Sequence, residues 1–213
     1  MKKILMIIIV FMLLPSIVAA DDDSFDINEL GNYQKIYETE EVEVCAVGRA
    51  KTYESYTMIT DPSSRQYRYI RDHMDVDPTT GLLLDEDGFI GVALGSYFGA
   101  IGTRYYFTLD SSVVIPVVKI DEKADAHTVG GCYQYQDHSV IEFVIDTTVD
   151  AKYFGHISNE YILDGNFNNF ELFNGDIVKI ELVTDQKRDD LIIYEKEEQY
   201  FDYLDVYSEM STY

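Results

Sequence analysis

Four polar residues close together in the chain have the types that acid–base chemistry uses: Asp121, Asp125, His127 and His138. Asp125 and His127 are two apart, so an extended backbone turns them to one side. Asp121 lies four before Asp125, at the exit of the branched run 113–120. Burial at a strand end disfavours a charged carboxylate and raises its pKa, and a neighbouring carboxylate raises it further. Two groups in such unequal settings can divide the work, one keeping its proton for a leaving oxygen while the other stays charged. The same four residues also read as solvated side chains of an acidic loop. A third reading makes them oxygen and nitrogen ligands of Zn²⁺, but no HExxH helix or cysteine cluster accompanies them. Neither a metal nor another cofactor is therefore expected.

Tyrosine is the other unusual resource: 18 residues, against no tryptophan. Tyr97, Tyr105, Tyr106, Tyr133 and Tyr135 flank the central block of the chain. An aromatic face with a polar rim suits a sugar ring, and a phenol tolerates a half-wet position. Ordinary β-sheet packing explains the same residues equally simply.

Positioning these groups falls to the strands on either side. Residues 89–94, 104–109, 113–120, 139–146 and 176–183 are apolar, branched or alternating, and they predict strands. Pro116 predicts an edge position or a bulge, because it cannot donate to a ladder. The spacing also predicts strands over 42–47, within 48–61 and over 66–70, where Tyr67 and Tyr69 fall on one face. One helical turn is expected around 27–30 and another near 150–155. Glycines at 91, 95, 99 and 102 suit close backbone approach. Asp75, Asp77, Asp85 and Asp87 are oxygen ligands by type, but their spacing does not fit an EF-hand loop. A polar loop held between two branched strands is how a scaffold presents a site.

The N-terminus reads as a secretory signal peptide: Met1-Lys2-Lys3, an apolar run over 4–14, then Val18-Ala19-Ala20 before Asp21. The apolar run is short against the roughly 20 residues that a bilayer-spanning helix needs. Cleavage after Ala20 with no stable membrane span is expected, placing the protein in the secreted or cell-wall fraction. Residues 21–41 read as an acidic leader, 42–185 as one β domain, and 186–213 as an acidic, tyrosine-rich extension. A net charge of −23 repels phosphate backbones, which argues against nucleic acid as a partner. Cys45 and Cys132 are the two cysteines. In an exported chain they read either as one disulfide or as two free thiols.

The stretch 88–146 resembles the three-aspartate domain of exported Firmicutes proteins, and more distantly the lytic transglycosylase and expansin barrels. The matching pieces are Gly102-Thr103, the apolar strand 114–120 ending at Asp121, and Ser139-Val140-Ile141-Glu142 leading to Asp146. One departure is plain: the family's Asp-Thr-Gly-Gly is replaced by Asp121-Glu122-Lys123-Ala124-Asp125. The resemblance implies a mainly β fold, a six-stranded double-psi β-barrel with an N-terminal extension and an acidic C-terminal tail. It implies that Asp121 is the catalytic acid and base and that Glu142 is a second acid. Asp125, His127 and His138 would tune or orient Asp121, with Tyr97, Tyr133 and Tyr135 available to sugar rings. The substrate implied is peptidoglycan or another glycan, cut as by a lytic transglycosylase or glycosidase. A non-catalytic glycan-binding module or an envelope structural protein is the alternative.

Overall fold

The computed structural model describes residues 25–154, 167 and 170–185. The expected signal peptide and the extension 186–213 lie outside the described residues. In chain order the regular elements are β1 (Thr39–Val42), β2 (Thr52–Ser55), α1 (Arg65–His73), β3 (Asp75–Val76), β4 (Leu83–Leu84), β5 (Ile90–Leu94) and β6 (Arg104–Leu109). They continue with β7 (Val114–Glu122), β8 (Thr128–Val129), β9 (Tyr133–Gln134), β10 (Glu142–Ile145), α2 (Thr147–Tyr153) and β11 (Ile177–Val183).

The fold is mainly β, as expected. Nine strands form one mixed sheet with the order β1-β11-β6-β7-β5-β10-β2, and β3 and β4 attach beside β5. Strands β8 and β9 make a separate small hairpin. The pairings β5–β7 and β10–β2 are parallel and the others antiparallel. Among the described residues the order has two ends, so the closed six-stranded barrel is not what the pairing gives.

Central strands are buried on both faces, which is why they read as nearly continuous apolar runs. One face carries Val92, Leu94, Phe107, Val117 and Phe143, and Ile27 and Leu30 pack onto this larger cluster from the expected helical turn, here a 3-10 helix over Ile27–Asn32. The other face carries Ala93, Tyr106, Val118, Ile120 and Val144, beneath Tyr69 of α1. Pro116 pairs with Tyr106 on one side, while pairing with β5 starts only at Val117. It therefore sits at the margin of the ladder, where its missing N–H does least harm.

Two expected strands are corrected. Residues 66–70 lie in α1, not in a strand. Ser64 caps that helix, its Oγ accepting from the Tyr67 N–H at 3.1 Å, and Arg71 and His73 occupy the last turn, where the helix dipole favours cations. The Tyr67/Tyr69 alternation concealed that cap. The first strand is Thr39–Val42 rather than 42–47, because its register is set by β11, from Thr39↔Val183 to Val42↔Ile180.

Two buried lysines act as clamps. Lys51 Nζ donates to the Gly175 and Arg49 carbonyls, and burial lowers its pKa to about 8. Lys119 Nζ donates to the carbonyls of Gly95 and Gly99 and pairs with Glu122. Both turns are thereby tied to the sheet. At Gly95 a Cβ would sit 1.8 Å from the Gly131 carbonyl oxygen, so only glycine admits the close approach of these two turns.

Asp150 in α2 carries a testable charge cost. Its residue is fully buried and both carboxylate oxygens lack a hydrogen-bond partner among the described residues. Burial, with the Asp146 carboxylate adding to it, pushes its pKa up to about 7 from 3.8. A carboxyl with a raised folded-state pKa stabilises below its unfolded value and loses that stability as pH rises toward the folded value. Stability should therefore fall between about pH 4 and pH 7. Asp150→Asn should flatten this fall and add on the order of 2 kcal/mol at pH 8 in urea titrations, since asparagine removes the charge but leaves polar atoms buried. Equal pH profiles for the two proteins would exclude the idea.

Candidate functional site

Strand β7 runs beside β5 in regular register from Ile90↔Val117 to Val92↔Lys119, and then one residue is inserted. Ile120 is the extra residue, so Ala93 faces Asp121. A bulge of this kind re-aims the side chains beyond it. Without it, strict alternation would send Asp121 to the face opposite Val118. With it, Asp121 shares the face of Gly91 and Ala93. Gly91 makes room, because a Cβ there would lie 2.4 Å from Ile120 Cδ1.

On the other side of β5, Ala93 is in register with Glu142 of β10. Val144 of β10 in turn pairs with Glu54 of β2. The small Ala93 is thus flanked by two carboxylates, and Glu54 completes a group of three on one sheet face. Burial is the main cause that raises the Glu54 pKa, followed by the neighbouring Asp121 carboxyl and the charge of Glu142, while Lys123 opposes. Glu54 Oε1 has no hydrogen-bond partner among the described residues.

Lys123 is the cation that opposes the upward shifts of Glu54 and Glu142. Lys123 is buried, donates to the carbonyl and Oγ of Ser139 at 3.3 and 3.2 Å, and lies 3.9 Å from Glu142 Oε2. Burial lowers its pKa, and Glu142 is the strongest influence holding it up. Glu142 is shifted upward, again mainly by burial, with Lys123 opposing. Carboxylates this close cannot all ionise cheaply, and the proton rests on the member whose burial is hardest to offset. A glutamate whose protonated form burial favours thus shares a sheet face with Asp121, a setting of the kind that general acid–base chemistry uses.

The remaining sequence-predicted residues are placed elsewhere. Asp125 accepts from Ser96 Oγ at 2.6 Å, on an exposed 3-10 turn over Asp125–His127. His127 and Tyr135 line a cleft of about 360 Å³ together with Ala126, Gln134 and Gln136. His138 has φ +59° and meets the Tyr133 ring edge-on at 5.7 Å. The Tyr97 hydroxyl donates to the Glu43 carbonyl. Gln134 joins the two regions: it lines the cleft, and its Nε2 donates to Glu142 Oε2 at 3.3 Å. The structure therefore sets Asp121 and Glu142 on either side of Ala93 and links the cleft of His127 and Tyr135 to Glu142 through Gln134.

Glu54, Lys123 and Gln134 are the residues that sequence reasoning missed. Nothing local marks Glu54, because its place depends on the parallel pairing of β2 with β10. Lys123 was visible only as a departure from the family's pattern. Of the two readings of the cysteines, the bridge is the one formed: Cys45 and Cys132 are joined across 87 positions. It ties the segment after β1 to the loop that carries the cleft.

Fold and site together define a disulfide-bonded, mainly β protein whose mixed sheet carries a half-buried cluster of three carboxyl groups and one lysine. Comparison with protein-family models, curated proteins and solved structures finds no match to this chain. Among the described residues no helix is long and apolar enough to cross a membrane, and no group of histidine, cysteine and acidic side chains is arranged to hold a metal ion.

Proposed function

We propose that this chain is an exported enzyme that cleaves cell-wall glycan, peptidoglycan above all, in the manner of the double-psi barrel lytic transglycosylases. The observation that carries this reading is the Glu54–Asp121 pair, in which burial favours the protonated form of Glu54 against a neighbouring carboxyl. The pair supplies a proton to the glycosidic oxygen as the bond to the anomeric carbon breaks, and the bonding electrons leave with that oxygen. The muramyl 6-hydroxyl, or water, then attacks the anomeric carbon and returns a proton to the pair. Glu142 keeps the local field negative, which favours the cationic transition state, and Lys123 limits that field.

The test is to incubate the processed protein with purified cell walls and identify released fragments by mass spectrometry. Anhydro-sugar ends indicate the transglycosylase route and reducing ends indicate hydrolysis. Asp121→Asn and Glu54→Gln should each lower release by roughly 10²–10⁴-fold, the usual contribution of a positioned acid or base. Activity should also decline as pH rises through the raised Glu54 value, because the donated proton is then lost. Full-rate cleavage by both variants would exclude the pair as the catalyst. Tyr135, 60 % exposed beside the cleft, favours a second reading, a non-catalytic glycan-binding module. Retention on cell walls with no soluble product would select it.

A further inference from the structure

We infer that the groove between α1 and the 3-10 turn Tyr56–Met58 is a docking site for the chain's own residues 191–207, which follow β11. The groove measures about 490 Å³, and its lining includes Tyr56, Ile59, Tyr67, Ile70 and Arg71. Beside it Met58 stands 73 % exposed on the same turn. The charge here is unlike that of the rest of the molecule. Arg65, Arg68 and Arg71 recur every three residues along α1, so they share one side of the helix, and Arg71 is itself in the lining. Asp72, which accepts from Arg71 Nε and Nη2, is the one acid of this helix. Three arginines against one aspartate leave α1 positive in a chain whose net charge is −23.

Residues 191–207 carry the complementary set. Phe201, Tyr203 and Leu204 lie among Glu197, Glu198, Asp202 and Asp205, and Lys196 is the one cation of the segment. Rings and aliphatic side chains suit the apolar floor, and the acids suit the arginine rim, so both forces favour the same occupant. The connection is also short enough. Val183, the last residue of β11, is buried in the core cluster against which Tyr56, Ile59 and Ile70 pack. The chain therefore leaves β11 beside the layer that backs the groove. Extended chain covers about 3.3 Å per residue, so Leu191 can lie about 20 Å and Phe201 about 50 Å from Asp185, against roughly 40 Å for the width of a domain of this size.

The experiment places a nitroxide on Met58→Cys in the full processed chain and reads the backbone amide signals of residues 191–207 by NMR. Those signals should be lost while the nitroxide is oxidised and return when it is reduced. Dilution with an excess of unlabelled, spin-free chain should leave the loss in place, because the contact is within one molecule. Arg71→Glu should return most of the signals, and raising the salt to about 1 M should return part of them by screening the arginine rim. The pair Phe201→Ser and Leu204→Ser should return them without touching α1, and it decides the matter if Arg71→Glu does not fold, with the β5 and β7 amides reporting the fold. Signals retained in the parent, or a loss that survives the Phe201 and Leu204 substitutions, would overturn the assignment. So would a loss that disappears on dilution, since a second copy would then be the occupant.

Discussion

Replacing Cys45 and Cys132 by alanine should lower the stability of this domain by about 4–5 kcal/mol, because the bridge closes a loop with a sequence separation of 87. In the loop-entropy picture most of that loss comes from the unfolded chain, which gains the freedom that the cross-link denied it. Two further consequences follow from the same cause. The dependence of stability on denaturant should steepen, since an uncrosslinked unfolded chain exposes more surface. Reduced parent and double variant should also unfold at nearly the same guanidinium concentration. Cys132 is buried and follows Gly131, whose carbonyl accepts from the Tyr97 N–H at 3.1 Å. Loosening should therefore appear first in the loop that carries Gln134 and Tyr135, as faster amide exchange there. An unchanged midpoint on reduction would refute the argument.

Arg104→Leu should cost about 3–5 kcal/mol at neutral pH, the range found when one partner of a buried ion pair is removed. Arg104 is 1 % exposed in β6, and its Nε donates to Asp85 Oδ2 at 2.8 Å while Nη1 donates to Asp87 at 2.6 Å. Its guanidinium also lies 4.7 Å from the centre of the Phe89 ring. Burial raises the Asp85 pKa, with Arg104 the main opposing influence. Leucine removes that cation, so Asp85 should climb further. The variant should then recover stability as pH falls through the raised Asp85 value, the opposite of ordinary acid denaturation. Adding Asp85→Asn to Arg104→Leu should restore part of the loss at neutral pH, because the uncompensated charge is gone. Arg104→Lys should fall between, since an ammonium cannot reproduce the fork that reaches two carboxylates. Chemical denaturation of these four proteins and of Asp85→Asn alone, at two pH values, would measure all of this. Additive losses in the double variant would sink the account.

Legibility differed sharply between elements. The runs that became β5, β6, β7, β10 and β11 could be read directly, because strands buried on both sides must be apolar or branched throughout. Asp146 was visible as the end of a strand, but its role as the cap of α2, accepting from the Thr148 and Val149 N–H groups, was not. Three of the four aspartates considered for calcium have other work: Asp77 accepts from the Thr80 N–H at 2.7 Å, and Asp85 and Asp87 hold Arg104. In each case residue type was evident and the partner was not: Asp77 and Asp146 turn back on N–H groups two or three residues away, while Asp85 and Asp87 take theirs from another strand.

Composition and pattern by themselves determined that this chain is mainly β, that Asp121 lies near the end of a buried strand, and that two cysteines were available to bridge. These follow from short-range rules: branched residues favour the pleat, turns need glycine, proline or aspartate, and burial selects apolar side chains. The face on which Asp121 lies was decided only by the tertiary structure, through one extra residue opposite Val92 and Ala93. Register belongs to a pair of strands rather than to either one, and a shift of a single residue turns every later side chain to the other face. The meeting of Asp121 with Glu54 and Glu142 depends on that shift and on two pairings between segments distant in the chain.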